Sequence, residues 1–135
     1  MSKLQAHNEE IINAPISKVW AIITDINLLG KINPGVITAK GRKGTMTEKL
    51  VELVHEQKTV WVIENDTMGM KKMLKDPRFC FYLEKVGDSK TKITNESYYL
   101  PANLMAKIMN ALIMKKMMGK IQGQILTNIK TIAEK

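Results

Sequence analysis

The segment from Asn13 to Gly35 constrains this chain most. It reads Asn-Ala-Pro-Ile-Ser-Lys-Val-Trp-Ala-Ile-Ile-Thr-Asp-Ile-Asn-Leu-Leu-Gly-Lys-Ile-Asn-Pro-Gly. Pro15 suits the first turn of a helix, where its missing N–H is no loss. Val19, Ile22, Ile23 and Ile26 follow at helical spacing and make one apolar stripe. Thr24-Asp25 can end that helix, and Asp25 can cap a second short one. Asn33-Pro34-Gly35 then turns the chain out of it.

Strand-like stretches lie on either side of this segment. Gln5 to Asn13 reads as a rather polar strand. Val36 to Arg42 and Thr45 to Val54 flank Lys43-Gly44, a plausible hairpin turn. Lys58 to Asp66 carries the β-branched and aromatic run Val60-Trp61-Val62-Ile63. Phe79 to Val86 and Thr91 to Leu100 flank Gly87-Asp88-Ser89-Lys90, a second hairpin. Met68 to Arg78 has little strand character.

After Leu100-Pro101 the pattern is helical to about Ala133. Leu104, Ile108, Ala111, Met118, Ile121, Ile125, Ile129 and Ile132 are expected on one face, widened by Met105, Met109 and Leu112. Gly119 and Gly123 each cost about 1 kcal/mol relative to Ala in mid-helix. They serve either a close approach of sheet and helix or a bend where the helix crosses a cavity. The element order predicts an α+β fold with an antiparallel sheet.

Four features resemble the START-like superfamily, also called the polyketide cyclase/dehydrase and lipid-transport (SRPBCC, Bet v 1-like) proteins. Ile12-Asn13-Ala14-Pro15 with Val19-Trp20 resembles the family's opening strand-to-helix junction. Thr24-Asp25 with Pro34-Gly35 resembles its two-helix segment and exit. Phe81-Tyr82-Leu83-Glu84 with Thr91-Lys92-Ile93-Thr94 is similar to its last hairpin, and Tyr99-Leu100-Pro101 leads into its long helix. The resemblance implies a helix-grip fold as one domain over residues 1–135. In it an antiparallel sheet of about seven strands wraps the long C-terminal helix, with two short helices after the first strand. It also implies a ligand cavity between sheet and helix. It does not imply one activity, because the fold hosts carriers and cyclases alike.

Composition narrows the chemistry. Cys80 is the only cysteine, so no intrachain disulfide can form. With no apolar core of a signal peptide near the start, a cytoplasmic location is expected. No apolar run approaches ~20 residues, so any membrane contact is expected to be peripheral at most. The net charge of +8 comes from lysines scattered along the chain without interleaved aromatics. It reads as a solvated face and not as a nucleic-acid patch. His7 and His55 are the only histidines, and no metal spacing, phosphate loop or nucleophile motif is present. No cofactor and no metal are expected.

Strand parity supplies the candidate site. With Ile12 and Ala14 facing inward, Asn8 and Glu10 share their face; with Ile93 inward, Asn95, Ser97 and Tyr99 follow. A desolvated Glu10 would have a raised pKa and could act as a general acid or base, whereas at a strand end it meets water. The expected lining is Phe81, Asn95, Ser97 and Tyr99 on the sheet, and Met105, Ile108, Met109 and Leu112 on the helix. Leu29 and Ile32 are expected near the mouth, with Met70 from the methionine group at Met68, Met70 and Met73. Ten methionines are many for 135 residues and suit an adaptable apolar surface. The functional expectation is binding of a small hydrophobic or amphipathic molecule, lipid- or polyketide-like. The alternatives are a cofactor-free cyclase, dehydratase or hydrolase in the same pocket, or an interaction module on the lysine- and methionine-rich helix.

Overall fold

The computed structural model describes residues 3–25, 46–66 and 74–135, with the backbone alone described at 46–49 and 63–66. Strands β1 (Lys3–Ile12), β2 (Met46–Val54), β3 (Lys58–Asp66), β4 (Leu74–Gly87) and β5 (Lys90–Pro101) form one sheet. Its order is β1-β5-β4-β3-β2, antiparallel throughout. The expectation of about seven strands is corrected to five among the described residues. The expected strand Val36–Arg42, the second short helix and the Lys43-Gly44 turn lie outside them.

Two clusters form the core on one side of the sheet. Helix α1 (Ile16–Ile23) buries Val19, Trp20, Ile22 and Ile23. With Ile12, Leu83 and Ile93 from the sheet, these pack on Ile125, Leu126 and Ile129 near the C-terminus. The second cluster joins Trp61, Leu74, Phe79 and Tyr99 to Met114 and Met118. Fully burying an aliphatic or aromatic side chain contributes about 1.5–3 kcal/mol, so these contacts hold the helix to the sheet.

Pro15 stands one position earlier than expected, as the cap residue of α1. Its carbonyl accepts from Lys18 N–H (3.0 Å) and Val19 N–H (3.2 Å). The far end of the chain clamps this junction. Glu134 accepts from Asn13 N–H at 2.8 Å, and Lys130 Nζ donates to Ile11 O at 2.6 Å. Thr91 Oγ1 donates to Ala14 O at 2.8 Å and ties the junction to β5.

Strand β4 begins five residues before the expected Phe79, at Leu74. Pro77 made Met68 to Arg78 look unlike a strand. The chain tolerates it at a bulge, where the β4–β5 register shifts between Lys75 and Arg78 and Asp76 takes φ 51°.

The closing helix comprises α2 (Leu104–Met109), a π-helical segment (Asn110–Met114) and α3 (Lys115–Ala133). Asn103 caps it, its Oδ1 accepting from Ala106 N–H at 2.8 Å. The bend considered for the glycines is therefore not where the helix departs from α geometry; that is the π segment. Gly123 serves close approach instead: a Cβ there would stand 3.3 Å from Asn8 Oδ1, whereas one at Gly119 would meet nothing within 4 Å. Gly119→Ala is accordingly expected to raise stability by about 0.5–1 kcal/mol. Gly123→Ala should gain nothing, because Asn8 is held by its own hydrogen bonds. Urea denaturation of the two variants checks this; equal gains would contradict the contact.

Candidate functional site

Strand β5 alternates strictly. Thr91, Ile93, Asn95, Ser97 and Tyr99 are buried, while Lys92, Thr94, Glu96 and Tyr98 are only half-buried. Across β1, Thr91, Ile93, Asn95 and Ser97 face Ile12, Glu10, Asn8 and Ala6 in turn, and Tyr99 faces Lys3. A row of polar side chains thus crosses the helix-facing side between the two apolar clusters.

One part of the row ties β1, β5 and α3 together. Asn95 Nδ2 donates to Gln122 O (2.9 Å) and Gln122 Oε1 (3.0 Å). Asn8 Nδ2 donates to Asn95 Oδ1 and Gly119 O, both at 3.3 Å. A second part closes a ring around the π segment. Tyr99 OH donates to Asn110 Oδ1, Asn110 Nδ2 to Gln5 Oε1 (3.2 Å), and Gln5 Nε2 to Tyr99 O (2.9 Å). Burial pushes the Tyr99 phenol pKa up, which keeps it a neutral donor.

Ser97 lies between the two parts. It is fully buried, and its hydroxyl has no hydrogen-bond partner among the described residues. Such an unsatisfied group costs about 1–3 kcal/mol.

A cleft of about 590 Å³ opens beside the ring. Gln5 and Asn110 stand at its base, and Leu100, Pro101, Leu104 and Ala111 provide apolar wall. Lys3, Lys75, Lys107 and Lys115 surround it.

A cluster of paired titratable groups on β1 and β5 lies on the other side of the sheet. His7 meets Glu96 at 2.8 Å, which raises the imidazole pKa, and Lys92 meets Glu9 at 2.6 Å. Glu96 also accepts from Tyr98 OH at 2.6 Å, holding that phenol up to about 12. Cys80 is buried, and burial pushes its thiol pKa up, away from a reactive thiolate. Among the described residues no three His, Cys, Asp or Glu side chains gather to hold a metal ion. No helix among them is long and apolar enough to cross a membrane.

The structure brings Asn95, Ser97 and Tyr99 together on the helix-facing side, with Phe81 half-buried against both clusters. Glu10 shares their face, opposite Ile93, but its carboxylate accepts from Ile11 N–H at 3.3 Å in an exposed setting. The four helix residues are corrected. Met105, Ile108, Met109 and Leu112 are exposed by 76%, 52%, 36% and 66%, and Ala106, Asn110, Met114 and Met118 face the sheet instead. The π segment takes one extra residue in its turn and so shifts the phase of everything before it. Leu29, Ile32 and Met70 lie outside the described residues. Sequence reasoning missed Gln5, Asn110 and Gln122. The available signal was the every-fourth-residue run Ala106, Asn110, Met114, Met118, Gln122, which places two amides on the buried row.

No sequence-family model matches the chain, and no curated protein matches it by sequence. Solved structures do match in shape. A START superfamily protein from Mycobacterium smegmatis superposes with a TM-score of 0.72 at 10% identity, covering 96% of each chain. Norcoclaurine synthase from Thalictrum flavum, in complex with dopamine and hydroxybenzaldehyde, gives 0.69 at 12% identity over 98% of this chain and 86% of that one. Protein XoxI from Bacillus cereus gives 0.68 at 14% identity over 95% of each. At these identities the likeness establishes the fold.

Proposed function

We propose that this chain, which has the START-like fold, binds a small amphipathic molecule in the cleft between the π segment and the ends of β1 and β5. The observation that carries the reading is the chemistry of the helix-facing polar row. Gln5, Asn8, Asn95, Ser97, Asn110 and Gln122 are amides and a hydroxyl that do not titrate near neutrality. Of these, Gln5 and Asn110 line the cleft; amides orient a ligand and do not move protons as a general acid or base must. A cleft of about 590 Å³ with apolar walls and a few convergent polar groups also has the usual make-up of a small-molecule site.

An environment-sensitive apolar dye tests the reading. It should bind the parent with enhanced fluorescence, and Ala111→Trp should abolish this by filling the cleft. Ala111 is exposed, so the change leaves the core intact. Undiminished dye binding by the tryptophan variant would contradict the site.

One observation favours a second reading, peripheral contact with an anionic membrane. Leu104 (75%), Met105, Leu112 and Met117 (50%) are exposed on a helix that also carries Lys107, Lys115, Lys116 and Lys120. Cosedimentation with phosphatidylserine vesicles, and none with phosphatidylcholine vesicles, is the expected result. Equal recovery with both would count against it.

A further inference from the structure

Four cations surround the cleft, and among the described residues no acidic side chain lines it. Lys3 enters from the start of β1, Lys75 from the bulged end of β4, Lys107 from α2 and Lys115 from the start of α3. All four are exposed, and none makes an ion pair among the described residues. Elsewhere four lysines pair with carboxylates: Lys58 with Glu52, Lys85 with Asp88, Lys92 with Glu9 and Lys130 with Glu134. The field at the cleft is therefore positive, with no compensating carboxylate among the described residues.

The base of the cleft adds donors. Asn110 Nδ2 uses one N–H on Gln5, and Gln5 Nε2 uses one on the Tyr99 carbonyl. Each amide nitrogen carries two N–H groups, so one on each remains for an acceptor in the cleft. The apolar walls at Leu100, Pro101, Leu104 and Ala111 exclude a purely ionic occupant as the best fit.

We infer that the cleft reads the oxyanion head group, carboxylate or phosphate, of a single-chain amphiphile whose apolar part lies against these walls. The inference rests on the amphiphile-binding function proposed above and names the head group it selects. Lysines suit this task because their flexible, point-like charges accept either oxyanion without fixed fork geometry.

The test is isothermal titration calorimetry of the full chain at low salt with dodecanoate, dodecyl phosphate, dodecan-1-ol and inorganic phosphate. Both charged amphiphiles should bind about tenfold or more tightly than the alcohol, and added salt should reduce that preference. Lys75→Glu with Lys107→Glu should abolish the preference while leaving the alcohol's affinity in place. Lys90→Glu, in the exposed β4–β5 turn, should change it by less than about twofold, as expected for a distant screened charge.

Equal affinity for dodecanoate and dodecan-1-ol would overturn the head-group inference and leave amphiphile binding standing. Loss of the preference in Lys90→Glu would overturn it too, by showing only the net charge at work. Inorganic phosphate binding as tightly as dodecyl phosphate would overturn the role of the apolar walls. Absence of binding by every amphiphile would overturn both readings.

Discussion

Ile125→Asp is expected to destabilise the protein by about 4 kcal/mol or more, which would leave much of the chain unfolded at physiological temperature. Ile125 is 3% exposed, in the cluster that joins α3 to Ile12, Ile93 and α1. Removing its aliphatic contacts alone costs about 2–5 kcal/mol, and the new carboxylate has no cation in that cluster to pair with. The total stability of a domain of this size is about 5–15 kcal/mol, so the change consumes a large share of it. Ile113→Asp is the matched control. Ile113 is 51% exposed on the π segment, and a substitution there should stay within about 0.5 kcal/mol. Urea denaturation followed by far-ultraviolet circular dichroism separates the two. Equal losses would mean that the helix presents a different face to the sheet.

Asn95→Ala should cost about 2–4 kcal/mol, and Ser97→Ala, two residues along the same strand, should cost nothing or add about 1 kcal/mol. The contrast follows from hydrogen bonding, since both residues are almost wholly buried. Asn95 donates twice to Gln122 and accepts from Asn8, so alanine leaves buried partners unsatisfied. Ser97 has no partner to abandon, and alanine removes an unsatisfied hydroxyl. If Ser97→Ala is stabilising and also weakens dye or amphiphile binding, the hydroxyl is retained for the ligand at the expense of the fold. Thermal melts and binding titrations on the two variants measure both sides.

The sequence exposed the sheet's helix-facing side well because strand periodicity is rigid. Once Ile93 is placed inward, Asn95, Ser97 and Tyr99 follow, and they lie there. The Gly87–Lys90 turn was legible in the same way: Gly87 pairs with Lys90 at the end of the β4–β5 ladder. The helix was legible only in part. Ile125 and Ile129 are buried as the 3.6-residue period requires. Carried back through Asn110–Met114, however, that period turns Ile108 and Leu112 inward, and they are exposed. A π segment depends on what its side chains meet, here Asn110 against Tyr99 and Gln5, a contact with residues distant in sequence. The only local sign of it is the every-fourth-residue run from Ala106 to Gln122. The bulge at Asp76-Pro77 escaped notice for a related reason: proline lowers strand propensity, and only pairing with β5 restores the strand around it.

The location of the ligand can be read residue by residue from amide and side-chain NMR shifts during titration with dodecanoate. The largest changes are expected at Gln5, Asn110, Ala111 and Lys107, with smaller ones at Ser97 and Tyr99 behind the ring. His7, Glu96 and Lys92, on the opposite side of the sheet, should stay unmoved. Changes centred on that opposite side, or none anywhere at saturating dodecanoate, would contradict the proposed site.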